Sequence, residues 1–313
     1  MTAYLVRRLF ATIPVMAVVA IFVFMLLRLA PGDPAALIAG DDATTADILA
    51  IRAKLGLDLP IWEQFIIWLG NILRGDLGVS IFSNLPVTTL IAQRLEPTLM
   101  LMLATLFVAV TLAIPLGVLA AWKARTLIDR LVMLISVLGF AVPVFLAGYV
   151  LIYVFSIQLR WLPVQGYKPL AQGLWPCIQT LILPAVALGT TYMALIARIT
   201  RASMLDVLAQ DYIRTANAKG LATRRVLLLH ALKNASVPIV TVIGIGIALL
   251  ISGVVITETV FNIPGLGRLT VDAVLKRDYP IVQGLILVFA GTKVLINLAI
   301  DMSYAFLDPR IRY

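Results

Sequence analysis

The sequence predicts an all-α protein that crosses a membrane with six helices. Of its 313 residues, 61% are hydrophobic and only 13% are charged, against roughly 25% charged residues in a soluble domain. The mean hydropathy is +1.02, and several apolar runs approach the roughly 20 residues that a helix needs to cross the hydrocarbon core. Inside a bilayer the backbone has no water to bond with, so helices are the expected form of these runs.

The first apolar run is predicted to be an uncleaved span. It follows Arg7 and Arg8 and is about twice as long as the hydrophobic region of a signal peptide. Pro31 stands where a small-residue cleavage site is needed, and Arg28 can extend its guanidinium to the far interface. The six predicted spans are Leu9–Leu29, Leu99–Trp122, Leu131–Ile157, Ile178–Ile199, Ile239–Thr257 and Ile281–Ser303.

The distribution of Lys and Arg predicts the orientation. The two termini, the turn at 123–130 and the region 198–233 together hold 14 basic and four acidic residues. The opposite segments hold nine basic and eleven acidic residues. Because cytoplasmic segments carry the excess of Lys and Arg, both termini are predicted to be cytoplasmic. The formal net charge of +9 is then explained without nucleic-acid binding.

Residues 31–96 differ from the rest of the chain and are predicted to form an extracytoplasmic excursion with short helices. They hold eight acidic and four basic residues. Two amphipathic segments, roughly Thr45–Leu55 and Pro60–Leu73, show apolar side chains at helical spacing. The predicted organisation is an N-terminal transmembrane helix at 1–30, the excursion at 31–96, a five-helix transmembrane core at 97–305 and a cytoplasmic tail at 306–313.

The longest polar interruption in the second half of the chain is Asp211–Pro238, within a predicted cytoplasmic loop at 201–236. The pattern predicts two short helices separated by a turn. Gly220 suits the left-handed position that closes a helix, and Thr223 can cap the next one. The ends of this loop are held in the bilayer while its middle faces the cytoplasm. We therefore expect it to be a docking element for another protein.

Further residues of this loop support docking. The small residues Ala216, Ala218 and Gly220, together with Leu221, are expected to let a partner approach closely. His230 is expected to bond a nearby backbone carbonyl and fix the second helix against the first, in preference to a pH-sensing role. The residues predicted to couple to the partner are Asp211, Arg214, Thr215, Ala216, Asn217, Lys219, Gly220, Leu221 and His230.

Enzymatic constellations are absent from the sequence. The lone Cys177 excludes an internal disulfide, and with a single histidine no metal site is expected. No G-x-x-x-x-G-K-[ST] phosphate loop occurs, and no catalytic residue or cofactor is predicted on this chain. The glycine-rich segment 262–267 lacks the strand and helix that flank a nucleotide site and is interpreted as a structured turn.

Lys293 stands near the middle of the last predicted span. A lysine at this depth is expected to face protein or water rather than lipid. Asn297 and Asp301 follow at i+4 and i+8, which places all three on one helix face. Two interpretations stay open: the group lines a substrate path or forms an intramembrane latch, or Lys293 holds the bundle through an interhelical contact to an aspartate or a carbonyl.

An ordered series of short motifs resembles the inner-membrane permease subunits of binding-protein-dependent ABC importers of the peptide/nickel type, nearly end to end. The motifs are Arg28-Leu29-Ala30-Pro31-Gly32-Asp33-Pro34, Gly75-Asp76-Leu77-Gly78, Trp161-Leu162-Pro163, Glu258-Thr259-Val260-Phe261, Pro264-Gly265-Leu266-Gly267-Arg268, Arg277-Asp278-Tyr279-Pro280 and Leu307-Asp308-Pro309-Arg310-Ile311-Arg312-Tyr313. The family's cytoplasmic EAA motif corresponds here to Thr215-Ala216-Asn217 followed by Gly220, so its glutamate is missing. The form Arg-Thr-Ala-x-Ala-Lys-Gly is similar to that of the peptide subgroup.

The resemblance implies a type I ABC importer permease fold and an ATP-driven mechanism. Two ATP-binding subunits, which carry ATP and Mg, would dock under the loop 211–234 of this chain and of a second, homologous permease. An extracytoplasmic binding protein would deliver di- or oligopeptides, and the pathway would alternate between outward and inward access. Nickel, glutathione or another peptide-like substrate is the alternative within the family. A stand-alone transporter or channel, or a membrane-embedded enzyme, is the alternative outside it.

Overall fold

The computed structural model describes residues 2–29, 35–36, 44–54 and 56–307, and most of these residues are helical. The helices are α1 Thr2–Leu29, α2 Thr45–Lys54, α3 Ile61–Leu73, α4 Val87–Trp122, α5 Leu127–Ala141, α6 Val144–Leu151, α7 Leu174–Leu208, α8 Asp211–Ala218, α9 Thr223–Arg225, α10 Ser236–Val260, α11 Leu266–Leu275 and α12 Tyr279–Leu307. Widened π-helical turns at Ile152–Gln158 and Val226–Leu232 continue α6 and α9. The expectations for 31–34, for 308–313 and for the side chains of Arg7, Arg8 and Asp301 lie outside the described residues.

Within the described part of the chain, four helices are long and apolar enough to cross a membrane, namely α4, α7, α10 and the part of α12 from Tyr279 to Ile300. A bent pair formed by α5 and α6 raises this number to five when it is taken as one span. Within α1, the apolar stretch recognised among the described residues is the shorter Phe10–Leu26. The all-helical membrane fold is confirmed, while the count of six spans stays a prediction.

The third predicted span, Leu131–Ile157, corresponds to two helices with a break between them. The chain bends by 103° between α5 and α6. Val142 has extended backbone angles, with φ −79° and ψ 124°, because Pro143 disfavours the helical conformation of the residue before it and has no N–H to donate. Proline thus ends one helix and starts another here, whereas Pro14, Pro115 and Pro184 lie inside helices.

The two amphipathic segments predicted between the first and second spans are confirmed as α2 and α3. Both helices agree with the predicted bounds to within one residue at each end. The α3 helix begins after Pro60, whose fixed φ suits the residue that precedes a helix.

Contacts divide the chain into two compact units. The large unit comprises Leu95–Arg268 with Leu295–Tyr313 and Met1–Tyr4, and the small unit comprises Leu5–Arg94 with Leu269–Val294. The core of the large unit consists of buried apolar side chains from α4, α7 and α10 and from the π-helical turn after α6. Its largest fully buried side chains are Leu101, Leu181, Leu188, Ile196, Met204, Leu250 and Ile263.

Glycines let the helices of the large unit approach closely. A Cβ on Gly117 of α4 would lie 2.6 Å from Thr200 Cβ and 2.7 Å from the Ala197 carbonyl oxygen of α7. On α10, Gly253 makes room for two side chains of α7, since a Cβ there would lie 2.8 Å from Leu188 Cδ1 and 3.1 Å from the Tyr192 hydroxyl oxygen. In hydrocarbon, small residues of this kind allow the backbone contact that drives helix association.

In the small unit, polar side chains join distant segments. Asp278 is buried and accepts hydrogen bonds from Ser80 Oγ at 2.6 Å and from the Ile81 N–H at 3.4 Å. Gln283 of α12 donates its Nε2 to the Val23 carbonyl of α1 at 2.9 Å. Both interactions are formed at the same end of α12, so this end is anchored twice.

Gly117→Ala is expected to destabilise the protein because the added methyl overlaps a helix backbone. Such overpacking costs about 1–3 kcal/mol. The matched control is Gly291→Ala in α12, where a Cβ meets nothing within 4 Å, and alanine is favoured over glycine in a helix by about 0.5–1 kcal/mol. The thermal unfolding midpoint in detergent should fall for the first variant and hold or rise for the second. Equal midpoints would contradict the close-packing assignment.

Candidate functional site

The polar loop between α7 and α10 contains the turn that the sequence predicts. Gly220 has φ +74° and lies in the left-handed region. Its N–H bonds the Asn217 carbonyl at 2.9 Å, and the Leu221 N–H bonds the Ala216 carbonyl at 3.3 Å. These two bonds are those of a Schellman motif, which satisfies the last carbonyls of a helix. The left-handed, helix-closing conformation predicted for Gly220 is confirmed.

The start of the following helix differs from the prediction. Ala222, with φ −58° and ψ 136°, occupies the capping position, and no side-chain hydrogen bond caps this helix. Thr223 is already the first helical residue, so its hydroxyl is too far along the chain to act as the N-cap. The role predicted for Thr223 is therefore wrong.

One face of the loop is packed against the rest of the large unit. Ile213 and Ala216 of α8 are 2% and 7% exposed and join a buried cluster with Met204, Val226 and Ala231. Burying an isoleucine stabilises by about 1.5–3 kcal/mol, so α8 is held to the ends of the membrane helices. Sequence reasoning missed Ile213, although apolar residues at i and i+3 in a polar helix were a usable signal.

The opposite face of the loop is exposed, and we call it the outer face. Around Gly220 the space is open, since a Cβ there would meet nothing within 4 Å. An exposed pair, Arg214 Nη1 and Asp211 Oδ1 at 3.5 Å, contributes little to stability. The outer face consists of Asp211, Tyr212, Arg214, Thr215, Asn217, Ala218, Lys219 and Gly220.

The predicted coupling residues therefore separate into two groups. Asp211, Arg214, Thr215, Asn217, Lys219 and Gly220 lie on the outer face, whereas Ala216 is buried and Leu221 packs on the buried cluster. Ala216 and Leu221 thus hold the turn in place. Of the small residues predicted to let a partner approach, Ala218 and Gly220 are the exposed ones. Tyr212, which the sequence analysis did not select, is 44% exposed on this face.

His230 is half-buried within the π-helical turn after α9. Among the described residues, the hydrogen bond at this position joins Asn234 Nδ2 to the His230 carbonyl at 2.6 Å, and none involves the imidazole. The expectation that the ring bonds a backbone carbonyl is therefore not met. The helix is fixed by the apolar side chains of the buried cluster instead.

An ion pair joins α5 to the last two turns of α7, just before the loop begins. Arg201 donates from Nε and Nη2 to the two carboxylate oxygens of Asp129 at 2.5 and 2.7 Å. The Arg125 N–H also donates to Asp129 Oδ2, at 2.9 Å. The Asp129 side chain is only 6% exposed. Sequence reasoning counted Arg201 as one loop cation and missed the pair, since its members are 72 residues apart.

At the opposite end of α10, a buried carboxylate organises the glycine-rich turn. Glu258 is fully buried and accepts hydrogen bonds from Thr98 Oγ1 at 2.6 Å and from the Arg268 N–H at 2.9 Å. Thr98 Oγ1 accepts from the Leu266 N–H at 2.8 Å. The Leu266 and Arg268 N–H groups belong to the first turn of α11, where a negative charge is favourable. The interpretation of 262–267 as a structured turn is confirmed.

A second polar contact closes the loop between α6 and α7. The Tyr167 hydroxyl and the Leu170 N–H both donate to Glu96 Oε1, at 2.9 and 2.8 Å. Burial raises the pKa of Tyr167 above its ordinary value, and the hydrogen bond to Glu96 raises it further. The phenol therefore stays protonated and remains a donor throughout the physiological pH range.

Two residues of the predicted Lys293 group, Lys293 and Asn297, lie on an exposed side of α12. Lys293 and Asn297 are both exposed, and neither side chain has a hydrogen bond or ion pair within the described part of the chain. The side chain of Asp301 lies outside that part. The interhelical contact that was one interpretation of Lys293 is therefore not seen among the described residues. Likewise, no group of three His, Cys, Asp or Glu suited to a metal ion occurs there.

Comparison with known families identifies the class of protein. Residues 113–313 match the model of the binding-protein-dependent transport system inner membrane component, and residues 1–102 match that of its N-terminal region. The chain belongs to this family. It is a multi-pass inner-membrane permease of ABC importers, a class that works with ATPase and substrate-binding proteins and is not itself the catalytic subunit.

Relatives place this permease in the peptide group. It is 55% identical over all 313 residues to a probable peptide ABC transporter permease protein, y4tP, of Sinorhizobium fredii. It is 44% identical over the full length to the glutathione transport system permease protein GsiC of Escherichia coli. Both relatives are covered completely.

A solved structure agrees with the fold. An inward-facing form of the MetNI methionine ABC transporter matches with a TM-score of 0.59 and 16% identity, covering 70% of this chain and 96% of that one. At this identity the match supports the type I permease fold and nothing finer.

The Asp129–Arg201 pair of the permease is expected to show strong energetic coupling. Asp129→Leu alone leaves the Arg201 charge unpaired, and Arg201→Met alone leaves the Asp129 charge unpaired. The double variant has no unpaired charge at this site. The coupling energy from a double-mutant cycle on thermal unfolding should be about 1–3 kcal/mol. Arg198→Met, at an exposed position one turn earlier, should change stability by less than about 0.5 kcal/mol. Simple additivity of the two single variants would contradict the assignment.

Proposed function

We propose that this chain is one permease of an ATP-driven importer that moves di- or oligopeptides across the inner membrane. Its loop 211–234 receives an ATP-binding subunit on the outer face. The observation that carries the coupling proposal is the two-sided construction of α8. Ile213 and Ala216 are buried against the membrane helices, while the residues around Gly220 stay open.

The buried side supports transmission of movement. A helix whose apolar side chains are packed in a cluster moves with the helices it packs on, because packed interiors are close to crystalline in density. The buried cluster that contains Ile213 and Ala216 of α8 also contains Val118 of α4, Met204 of α7 and Ile239 of α10. A displacement of the outer face by a partner would therefore displace three membrane helices together.

Alternating access then follows from differential binding. ATP and a loaded binding protein can shift the two access states only by binding one of them more tightly. A shift from 1:99 to 99:1 requires a preference of about 10⁴-fold. In this proposal ATP and Mg are bound by the partner ATPase subunits.

The proposed assembly has two ATP-binding subunits, this permease, a second homologous permease and an extracytoplasmic binding protein. The excess of Lys and Arg in the loop and at the termini favours a cytoplasmic location for these segments. A stand-alone transporter or channel is the competing class. It calls for ionisable groups within several of the predicted spans, whereas Lys293 and Asp301 both lie in the last one.

Bulky substitutions on the outer face should remove the ATP-binding subunit. Ala218→Trp and Gly220→Trp are expected to reduce the ATPase recovered with the permease by about tenfold or more, equivalent to about 1.4 kcal/mol per tenfold. Gly220→Asn is the control, since asparagine accepts a left-handed backbone and adds little bulk. It should retain the partner. Undiminished recovery with both tryptophan variants would refute docking on this face.

Peptides are favoured as substrates over glutathione or nickel because the relative at 55% identity is named for peptides and that at 44% for glutathione. Reconstitution of the full transporter with its binding protein tests this choice. We expect di- and oligopeptides to stimulate ATP hydrolysis, and glutathione and Ni²⁺ to stimulate it less. A response to glutathione or Ni²⁺ alone would reassign the substrate while leaving the coupling proposal intact.

A further inference from the structure

The α3 helix carries an exposed apolar stripe that has no role in the proposed transport mechanism. Trp62, Ile66 and Leu73 are 63%, 60% and 79% exposed. With Leu69, they recur at the spacing that places side chains on one side of a helix. The stripe holds no charged residue, so it is not a surface built for water.

The neighbouring side of α3 packs on α1. The Phe65 ring meets the Phe24 ring edge-on with centroids 5.1 Å apart, and the Trp68 ring lies 5.5 Å from it. Arg28 of α1 donates to the Gln64 side chain and lies with its guanidinium carbon 3.5 Å from the Phe24 ring centroid. The α3 helix is therefore fixed beside the C-terminal end of α1.

Contacts with α12 set the depth of this packing site. Gln283 bonds the Val23 carbonyl, directly before Phe24 in the sequence. Gln283 is four residues into the membrane-length apolar stretch that starts at Tyr279, a rise of about 6 Å. The α3 helix thus rests about one helical turn inside the end of a membrane span. Helices that lie in a membrane interface are buried by about 5–10 Å at this boundary.

The third side of α3 completes an interfacial pattern. Glu63 and Asn71 lie there, with Ile67 between them. The α3 helix therefore has three different sides. One packs on α1, one is apolar and carries Trp62 near its N-terminal end, and one carries polar groups that suit the headgroup layer. Tryptophan is the residue that interfaces favour, because its ring is apolar while its N–H can reach water. Phe22 and Met25 of α1, next to Phe24 in the chain, are also exposed.

We propose that α3 lies in the membrane interface beside α1, with the Trp62–Ile66–Leu73 stripe in contact with lipid acyl chains. The helix then anchors the segment between the first two spans to the bilayer surface. A second protein chain over the same stripe is the competing occupant.

A spin label distinguishes the two occupants. The label is placed at Ile66→Cys, and separately at Asn71→Cys on the polar side, in full-length protein with Cys177 replaced by alanine. The protein is purified with its accompanying subunits in lipid nanodiscs. Collision with O₂ reports lipid, and collision with a water-soluble nickel chelate reports the aqueous phase.

We expect the ratio of O₂ to nickel-chelate collisions to be several-fold higher at position 66 than at position 71. Equal ratios would show an aqueous stripe, and shielding of position 66 from both reagents would show a protein partner. Either result would overturn the proposal.

A second measurement avoids the label. Brominated lipids should quench the total tryptophan fluorescence less in Trp62→Phe than in the wild type, since a lipid-exposed indole has been removed. Unchanged quenching would also refute lipid contact at this position.

Discussion

Close contact between helix backbones is the constraint on which the large unit depends. Lipid chains are as apolar as leucine, so burial of apolar area alone gives little drive for helices to associate within a bilayer. Dispersion contacts take its place, and they require that no side chain hold the backbones apart. Gly117 of α4 meets the α7 backbone at the Ala197 carbonyl, and Gly253 of α10 makes room for the Leu188 and Tyr192 side chains of α7. The position of α7 therefore fixes the positions of α4 and α10, and with them the loop that joins α7 to α10.

Short hydrogen bonds and an ion pair compensate the two buried carboxylates of the large unit. Glu258 is compensated by the hydroxyl of Thr98 and a backbone N–H of α11, and Asp129 is compensated by Arg201 and a backbone N–H of its own turn. Leaving a buried charge without these partners costs several kcal/mol. The two carboxylates fix different ends of the helices, because Glu258 lies in the last turn of α10 and Asp129 in the first turn of α5.

Much of the fold could be predicted from sequence because it is local. Apolar run length predicts helices, and the Gly220 turn was predicted because left-handed backbone favours glycine. What sequence reasoning missed depends on tertiary contact. The Asp129–Arg201 pair joins residues far apart in the chain, and the burial of Ala216 depends on helices that only the folded structure brings together. The break at Pro143 is a further case, since whether a proline kinks or breaks a span depends on what its neighbours can satisfy.

The division of α8 into a packed and an open side explains how one short helix can serve two purposes. Its eight residues are too few to be stable alone, since isolated helices of this length are marginal in water. Burial of Ile213 on the side that faces the bundle, together with the Schellman bonds at Gly220, supplies the missing stability. The exposed side chains of the outer face are then free to match a partner. The segment Thr215-Ala216-Asn217 lacks the glutamate of the EAA motif, and the turn forms without it. The two hydrogen bonds that close the turn are made by backbone groups alone.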